Sequence, residues 1–248
     1  MPITKIWLAA LALTAIAFGP VRAAQTSVAV AANFTEPGKE IAAAFKTQTG
    51  QEAVLSFGAS GQFYAQIKQD APFQILLSAD EDRPSQLVRD GLALDAWRFT
   101  YAIGKLVLWS RAPEGVKDSD TLRESRFTRL SIASPTTAPY GAAAIEVMKA
   151  LGIYGSLQPK IVQGNSIAQA FQFIDTGNAE LGFIALSQLA GNTTGSRWLV
   201  PQSLYRPIRQ DAVLLKKGEG NPTATEFLTF LKGPQARTII ERYGYGLP

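Results

Sequence analysis

Four short stretches of this chain combine small residues with uncharged hydrogen-bond donors: Ala32-Asn33-Phe34-Thr35, Gly58-Ala59-Ser60-Gly61, Pro139-Tyr140-Gly141-Ala142 and Asn165-Ser166-Ile167. Each follows an apolar segment of strand character and precedes a helical pattern. A helix start leaves four backbone N–H groups without intrahelical acceptors, and the macrodipole places partial positive charge there. Small side chains let a ligand approach that backbone. In an open α/β sheet such corners gather at the carboxyl ends of the strands, where ligands bind. The chemistry they could do together is anion binding without lysine or arginine.

Magnitudes decide how many corners that chemistry needs. A helix dipole contributes about 0.3–2 kcal/mol toward a nearby negative charge, and a hydrogen bond to a charged group about 1.5–3 kcal/mol. Taking an unpaired ion out of water costs far more than either. One corner is therefore too weak, and several converging on one ion suffice. Taken singly, Ser, Thr and Asn at such places are ordinary helix caps, Gly is an ordinary turn residue, and Tyr140 is a packing aromatic.

Other chemistries lack their parts. The chain has no His and no Cys, which removes Ser-His-Asp and Cys-His catalysis and zinc sites of the usual type. Ser60 in Gly58-Ala-Ser-Gly-Gln62 has neither the spacing of a nucleophile elbow nor a base. Asp80-Glu81-Asp82 reads as a solvated acidic helix start rather than a metal site. Asn192-Thr193-Thr194 matches a short glycosylation pattern that often arises by chance.

The elements that must position the corners read as alternating strands and helices. Apolar strand signals fall at residues 27–33, 52–57, 73–78, 130–134, 160–163, 180–185 and 212–216. Helical patterns follow from about Thr35 to Gly50, Gly61 to Gln69, Gly141 to Leu151, Ile167 to Thr176, Thr223 to Leu231 and Pro234 to Tyr243. Residues 79–95 read as a loop and a short helix. The apolar run from Thr100 to Trp109 is too long for one ordinary strand and suits a crossing between two lobes. This alternation indicates an α/β architecture with largely parallel sheets.

At the amino end, Lys5, the apolar run Ile6–Phe18 and Val21-Arg22-Ala23 match a secretory signal peptide cut after Ala23. Removing Lys5 and Arg22 lowers the formal charge of +4 to +2. No basic run or RNP-like aromatic motif points to nucleic acid. An exported chain without Cys folds without disulfides, so its core must suffice.

At this point a resemblance enters. The stretches Ala31-Ala-Asn-Phe-Thr35, Ser56-Phe-Gly-Ala-Ser-Gly61, Tyr64-Ala-Gln-Ile67, Leu76-Leu-Ser-Ala-Asp80, Phe99 to Trp109, Ala138-Pro-Tyr-Gly141, Ala179-Glu-Leu-Gly-Phe183 and Leu231-Lys-Gly-Pro-Gln-Ala236 lie in matching order and spacing. Together they make the chain similar to the periplasmic molybdate-binding proteins of ABC transporters. The resemblance implies a two-lobe periplasmic-binding-protein fold of type II, each lobe a mainly parallel sheet flanked by helices. It places lobe 1 at residues 24–102 and 211–248 and lobe 2 at 103–210, after a signal peptide at 1–23.

The family holds molybdate or tungstate between the lobes with neutral donors. Carried over by position, its contacts fall on Asn33, through backbone and side-chain amide, Ser60, through hydroxyl and backbone, and Tyr140 and Ile167, through backbone alone. Molybdenum would be held only as the oxyanion, with no cofactor and no catalytic residue. Many relatives carry Ser where Asn33 stands, and some carry a ligand-reaching Tyr where Ala185 stands. The expected protein is a periplasmic monomer that passes its ion to an inner-membrane permease. Sulfate or another small oxyanion is the alternative cargo, and a secreted hydrolase the remote rival.

Overall fold

The computed structural model describes residues 24–248; the signal peptide expected over 1–23 lies outside the described residues. The chain runs β1 (Gln25–Ala31), a 3-10 turn (Ala32–Phe34), α1 (Thr35–Thr49), β2 (Glu52–Gly58), α2 (Ser60–Lys68), β3 (Ile75–Leu77), α3 (Asp82–Arg89), β4 (Ala93–Gly104) and β5 (Leu106–Ser110). It continues through α4 (Asp120–Glu124), β6 (Leu130–Ala133), α5 (Pro139–Ala150), α6 (Tyr154–Leu157), β7 (Ile161–Gly164), α7 (Ile167–Asp175), β8 (Leu181–Ala185), β9 (Ser196–Leu199), β10 (Ile208–Leu215), α8 (Pro222–Lys232) and α9 (Pro234–Arg242).

Ten strands form two five-stranded sheets, ordered β2-β1-β3-β10-β4 and β7-β6-β8-β5-β9. In the first, β1 pairs parallel with β2 and β3, while β10 pairs antiparallel with β3 and β4. In the second, β6 pairs parallel with β7 and β8, while β5 pairs antiparallel with β8 and β9. Each sheet is thus mixed, with four strands running one way and one reversed strand inserted next to the edge. The two sheets have equivalent topology, with β6 and β7 standing where β1 and β2 stand. The reversed strand of each sheet is the one that begins at the crossing from the other half.

Local sequence explains most elements. The Val28-Ala-Val-Ala31 run is buried on both faces of its sheet, as parallel strands covered by helices require. Ile41 and Phe45, four apart on α1, are wholly buried against it. Asn221 caps α8 by accepting from the Thr223 N–H at 3.0 Å, with Pro222 at the first helical position. Gly233-Pro234 ends α8 and opens α9.

Two strands differ from the sequence expectation. β4 begins at Ala93, well before the expected Thr100, and β9 was not expected at all. Both are edge strands whose exposed faces carry polar residues such as Asp95, Arg98 and Arg197, so neither shows a continuous apolar run. The long apolar segment divides at Lys105: Gly104 ends a strand of one sheet and Leu106 starts a strand of the other.

The two halves meet face to face. Ala31, Ala32, Ala59 and Ala79 pack into one buried cluster with Ala138, Tyr140 and Ile167. Gly61 N–H donates to the Thr137 carbonyl at 2.9 Å, and Arg83 Nη2 to the Thr136 carbonyl at 2.9 Å. Gly61 is required there by space: a Cβ would lie 2.8 Å from Thr137 Cα and 3.1 Å from its carbonyl oxygen. Gly61→Ala should therefore separate two effects. Alanine suits the first turn of α2, by up to about 1 kcal/mol, so the melting temperature should hold or rise. The lobes, however, should be propped apart. Small-angle scattering should give a larger radius of gyration than wild type under conditions that close the wild type; an identical curve would contradict this.

Candidate functional site

The four sequence-selected residues come together. Asn33, Ser60, Tyr140 and Ile167 line one small cavity between the sheets, with Ala31, Ala32, Gly58, Ala59, Ala79, Ala138 and Pro139 completing its wall. Asn33 and Ser60 follow β1 and β2; Tyr140 and Ile167 follow β6 and β7. Equivalent strand ends of two equivalent sheets therefore supply the corners. Ala185, where some relatives of the resembled family carry Tyr, is not part of the wall.

Backbone geometry leaves donors unused at each corner. Among the described residues, no protein acceptor lies within hydrogen-bond reach of the backbone N–H of Asn33, Ser60, Tyr140 or Ile167. In α2 the cap position is Ala59, which has no side-chain oxygen, and Ser60 is the first helical residue. In α5 the cap is Ala138 and Pro139 brings no N–H, so Tyr140 presents the first free one. In α7 the Ser166 hydroxyl accepts from Gln169 N–H at 3.3 Å, which leaves Ile167 N–H unmet. Gln188 Nε2 anchors that corner by donating to the Ile167 carbonyl at 3.1 Å.

Ser60 adds a fifth donor. Its Oγ accepts from the Ala79 N–H at 2.9 Å, so the hydroxyl hydrogen remains available. The side chain is buried, and it does not cap its helix. The residues that carry these four free N–H groups and one O–H line a wall that contains no Lys, Arg, Asp or Glu. Such a set can satisfy the lone pairs of a small oxyanion and offers nothing to a cation.

The expected use of the Asn33 side chain needs correction. Its Nδ2 donates to Gln210 Oε1 at 2.9 Å and to Tyr245 Oη at 3.0 Å. Both hydrogens are committed behind the cavity, so only the backbone N–H of Asn33 remains. The Asn33 carbonyl is held too, accepting from Tyr245 Oη at 2.7 Å and from Ser187 Oγ at 2.8 Å. Tyr101 Oη is placed 3.1 Å from both the Ser78 carbonyl and Gln210 Oε1. Sequence reasoning missed Gln210, Tyr245, Ser187 and Tyr101. Their partners lie far away in the chain, and no local pattern marks them.

Burial pushes the Tyr101, Tyr140 and Tyr245 phenols above their ordinary value, because the phenolate would lose its hydration. The Tyr140 hydroxyl is turned from the wall toward Gln210 Nε2, 3.2 Å away. The acidic trio is structural. Asp82 opens α3, Asp80 pairs with Arg83 and accepts from Ser78 Oγ at 3.1 Å, and Glu81 pairs with Arg209 at 3.3 Å. Among the described residues no group of acidic side chains could hold a metal ion. Ser60 has no imidazole to deprotonate it.

The chain as a whole is similar to known proteins. The molybdate-binding protein ModA of Rhodobacter capsulatus is 54% identical over 226 residues, which cover 91% of this chain and 90% of that one. ModA of Azotobacter vinelandii is 53% identical over 230 residues, covering 91% of each. The solved structure of the Azotobacter vinelandii periplasmic molybdate-binding protein superposes with a TM-score of 0.87 at 41% identity, covering 90% of this chain and 99% of that one. The model of the bacterial extracellular solute-binding protein family matches residues 26–246. A chain matched over residues 26–246, with a small cavity between two equivalent sheets, belongs to the bacterial extracellular solute-binding proteins.

Proposed function

We propose that this protein captures molybdate in the cavity between its lobes and delivers it to an ABC transporter permease at the inner membrane. One observation carries the reading: five uncharged donors without protein partners, from four corners, face a single small cavity with no cation in its wall. The identity of the cargo is supported by relatives named for molybdate at more than half identity along nearly the whole chain. Tungstate, with the same charge and tetrahedral shape, is a second cargo of the same donors. The protein acts as a monomer in the periplasm after loss of residues 1–23, and needs no cofactor.

The lobes, each built on one of the two sheets, move as two bodies. The ion meets Asn33 and Ser60 on one lobe and then Tyr140 and Ile167 on the other. Only the closed form makes all these bonds, so the ion favours closure. A smaller tetrahedral ion such as sulfate leaves some donors out of reach. Protonated phosphate brings a hydrogen that finds no acceptor in the wall.

Titration calorimetry with molybdate, tungstate and sulfate tests the cargo. Molybdate should bind far more tightly than sulfate, and the reverse order would reassign the site. Ser60→Ala should weaken molybdate binding by about 10-fold or more, the loss of one hydrogen bond to a charged group. Unchanged affinity would remove Ser60 from the site.

Stability should follow the tyrosines. With no His in the chain, the melting temperature should vary little from pH 6 to 9. The buried phenols keep their protons after unfolded tyrosines, near the ordinary value of 10.0, begin to lose theirs. The unfolded chain then binds fewer protons than the folded one, so stability falls as pH rises above about 10. A steep change between pH 6 and 9 in a thermal melt would contradict this account.

A further inference from the structure

Gln210 lies on β10, where the chain has returned from the second half of the molecule, and is completely buried. Its amide touches corners of both halves. Oε1 accepts from Asn33 Nδ2 at 2.9 Å, and Nε2 donates to Tyr140 Oη at 3.2 Å. Oε1 also accepts from Tyr101 Oη at 3.1 Å. Asn33 follows β1 of one sheet and Tyr140 lies in the first turn of α5 beside the other. One side chain thus joins a donor residue of each half without facing the cavity itself, since Gln210 is not in its wall.

The space for this bridge is built into the crossing. Gly104 ends β4 where the chain passes from the first sheet to the second. A Cβ there would lie 2.1 Å from Tyr140 Oη and 2.8 Å from Gln210 Nε2. The missing side chain is what lets Tyr140 reach Gln210. Both partners are sequestered, so water is a poor substitute for either hydrogen bond.

We propose that Gln210 is a positioning residue that couples the Asn33 and Tyr140 corners across the hinge and thereby sets how slowly the closed protein releases its anion. The proposal rests on the reading of the cavity as the oxyanion site. It holds that the Tyr140 side chain, as distinct from its backbone donor, acts through Gln210. Breaking the bridge leaves all five cavity donors in place but loosens the orientation of two of them. Encounter in the open form is untouched, so the effect falls on dissociation.

The test is a double-mutant cycle on molybdate kinetics, followed by stopped-flow tryptophan fluorescence, with the melting temperature of the ligand-free proteins measured alongside. Tyr140→Phe deletes the acceptor and keeps the backbone N–H. It should raise the dissociation rate about 3–10-fold, the worth of one neutral hydrogen bond, with the association rate little changed. Gln210→Met deletes both ends of the bridge and should raise dissociation by about 10-fold or more. The double variant should be no faster than Gln210→Met alone, because both changes remove one link.

Dissociation at the wild-type rate in Tyr140→Phe, or single effects that multiply in the double variant, would overturn the coupling. So would variants that melt lower without ligand yet release molybdate at the wild-type rate, since that pattern marks a role in folding alone. Should Gln210→Met fail to fold, the dissociation rate of Tyr140→Phe decides by itself. If the wild type binds no molybdate in the same assay, the site reading fails and the coupling with it, an outcome distinct from a wild type that binds and variants that match it.

Discussion

A buried anion with no counter-charge beside it can stay out of water only if fixed dipoles replace the water on every side. That requirement organises this molecule. One helix start offers too few free N–H groups, and its dipole is worth at most about 2 kcal/mol. The fold answers by using the same corner twice. The ends of β1 and β2 in one sheet and of β6 and β7 in the other each deliver a free backbone N–H to the same cavity. Because the sheets are topologically equivalent, opposing them face to face brings donor-bearing corners to the cavity from both directions, as the proposed oxyanion site requires. The alanines and Gly58 in the wall fit the same need, since they leave the donor backbone open to the cavity.

Much of this was legible in the sequence because it is local. The Gly233-Pro234 pair and the Val28–Ala31 run each carry their meaning within a few residues. The donor corners were legible for the same reason: small uncharged residues between an apolar strand and a helix. What stayed hidden is what depends on a neighbour. β4 starts in a half-exposed stretch whose polar residues make sense only at a sheet edge. The Asn33 amide has the chemistry of a ligand donor, and only the fold reveals that Gln210 and Tyr245, 177 and 212 residues away, engage both of its hydrogens. The partners of Gly61 and Arg83, at Thr137 and Thr136, were hidden in the same way.

The buried polar residues behind the cavity complete the electrostatic logic. A wall of bare backbone has no side chains to brace it, so its rigidity must come from the layer beneath. The Asn33 carbonyl held by Tyr245 and Ser187, the Ser60 hydroxyl held by Ala79 and the Ile167 carbonyl held by Gln188 supply that bracing. Every one of these is neutral, and burial moves the Tyr245 phenol still further from ionisation. A charged brace would have been simpler to build but would have imposed its own field on the ion. With neutral braces the potential in the cavity is set by the backbone dipoles, and these do not titrate. One of the braces, Ser187 on Asn33, crosses between the halves, as does the Gln210–Tyr140 hydrogen bond. The groups that stiffen the donors are then partly the groups that report closure. On the proposed reading, holding the ion and holding the lobes together become one event, which is what a carrier needs if its cargo is to stay sealed until the lobes part.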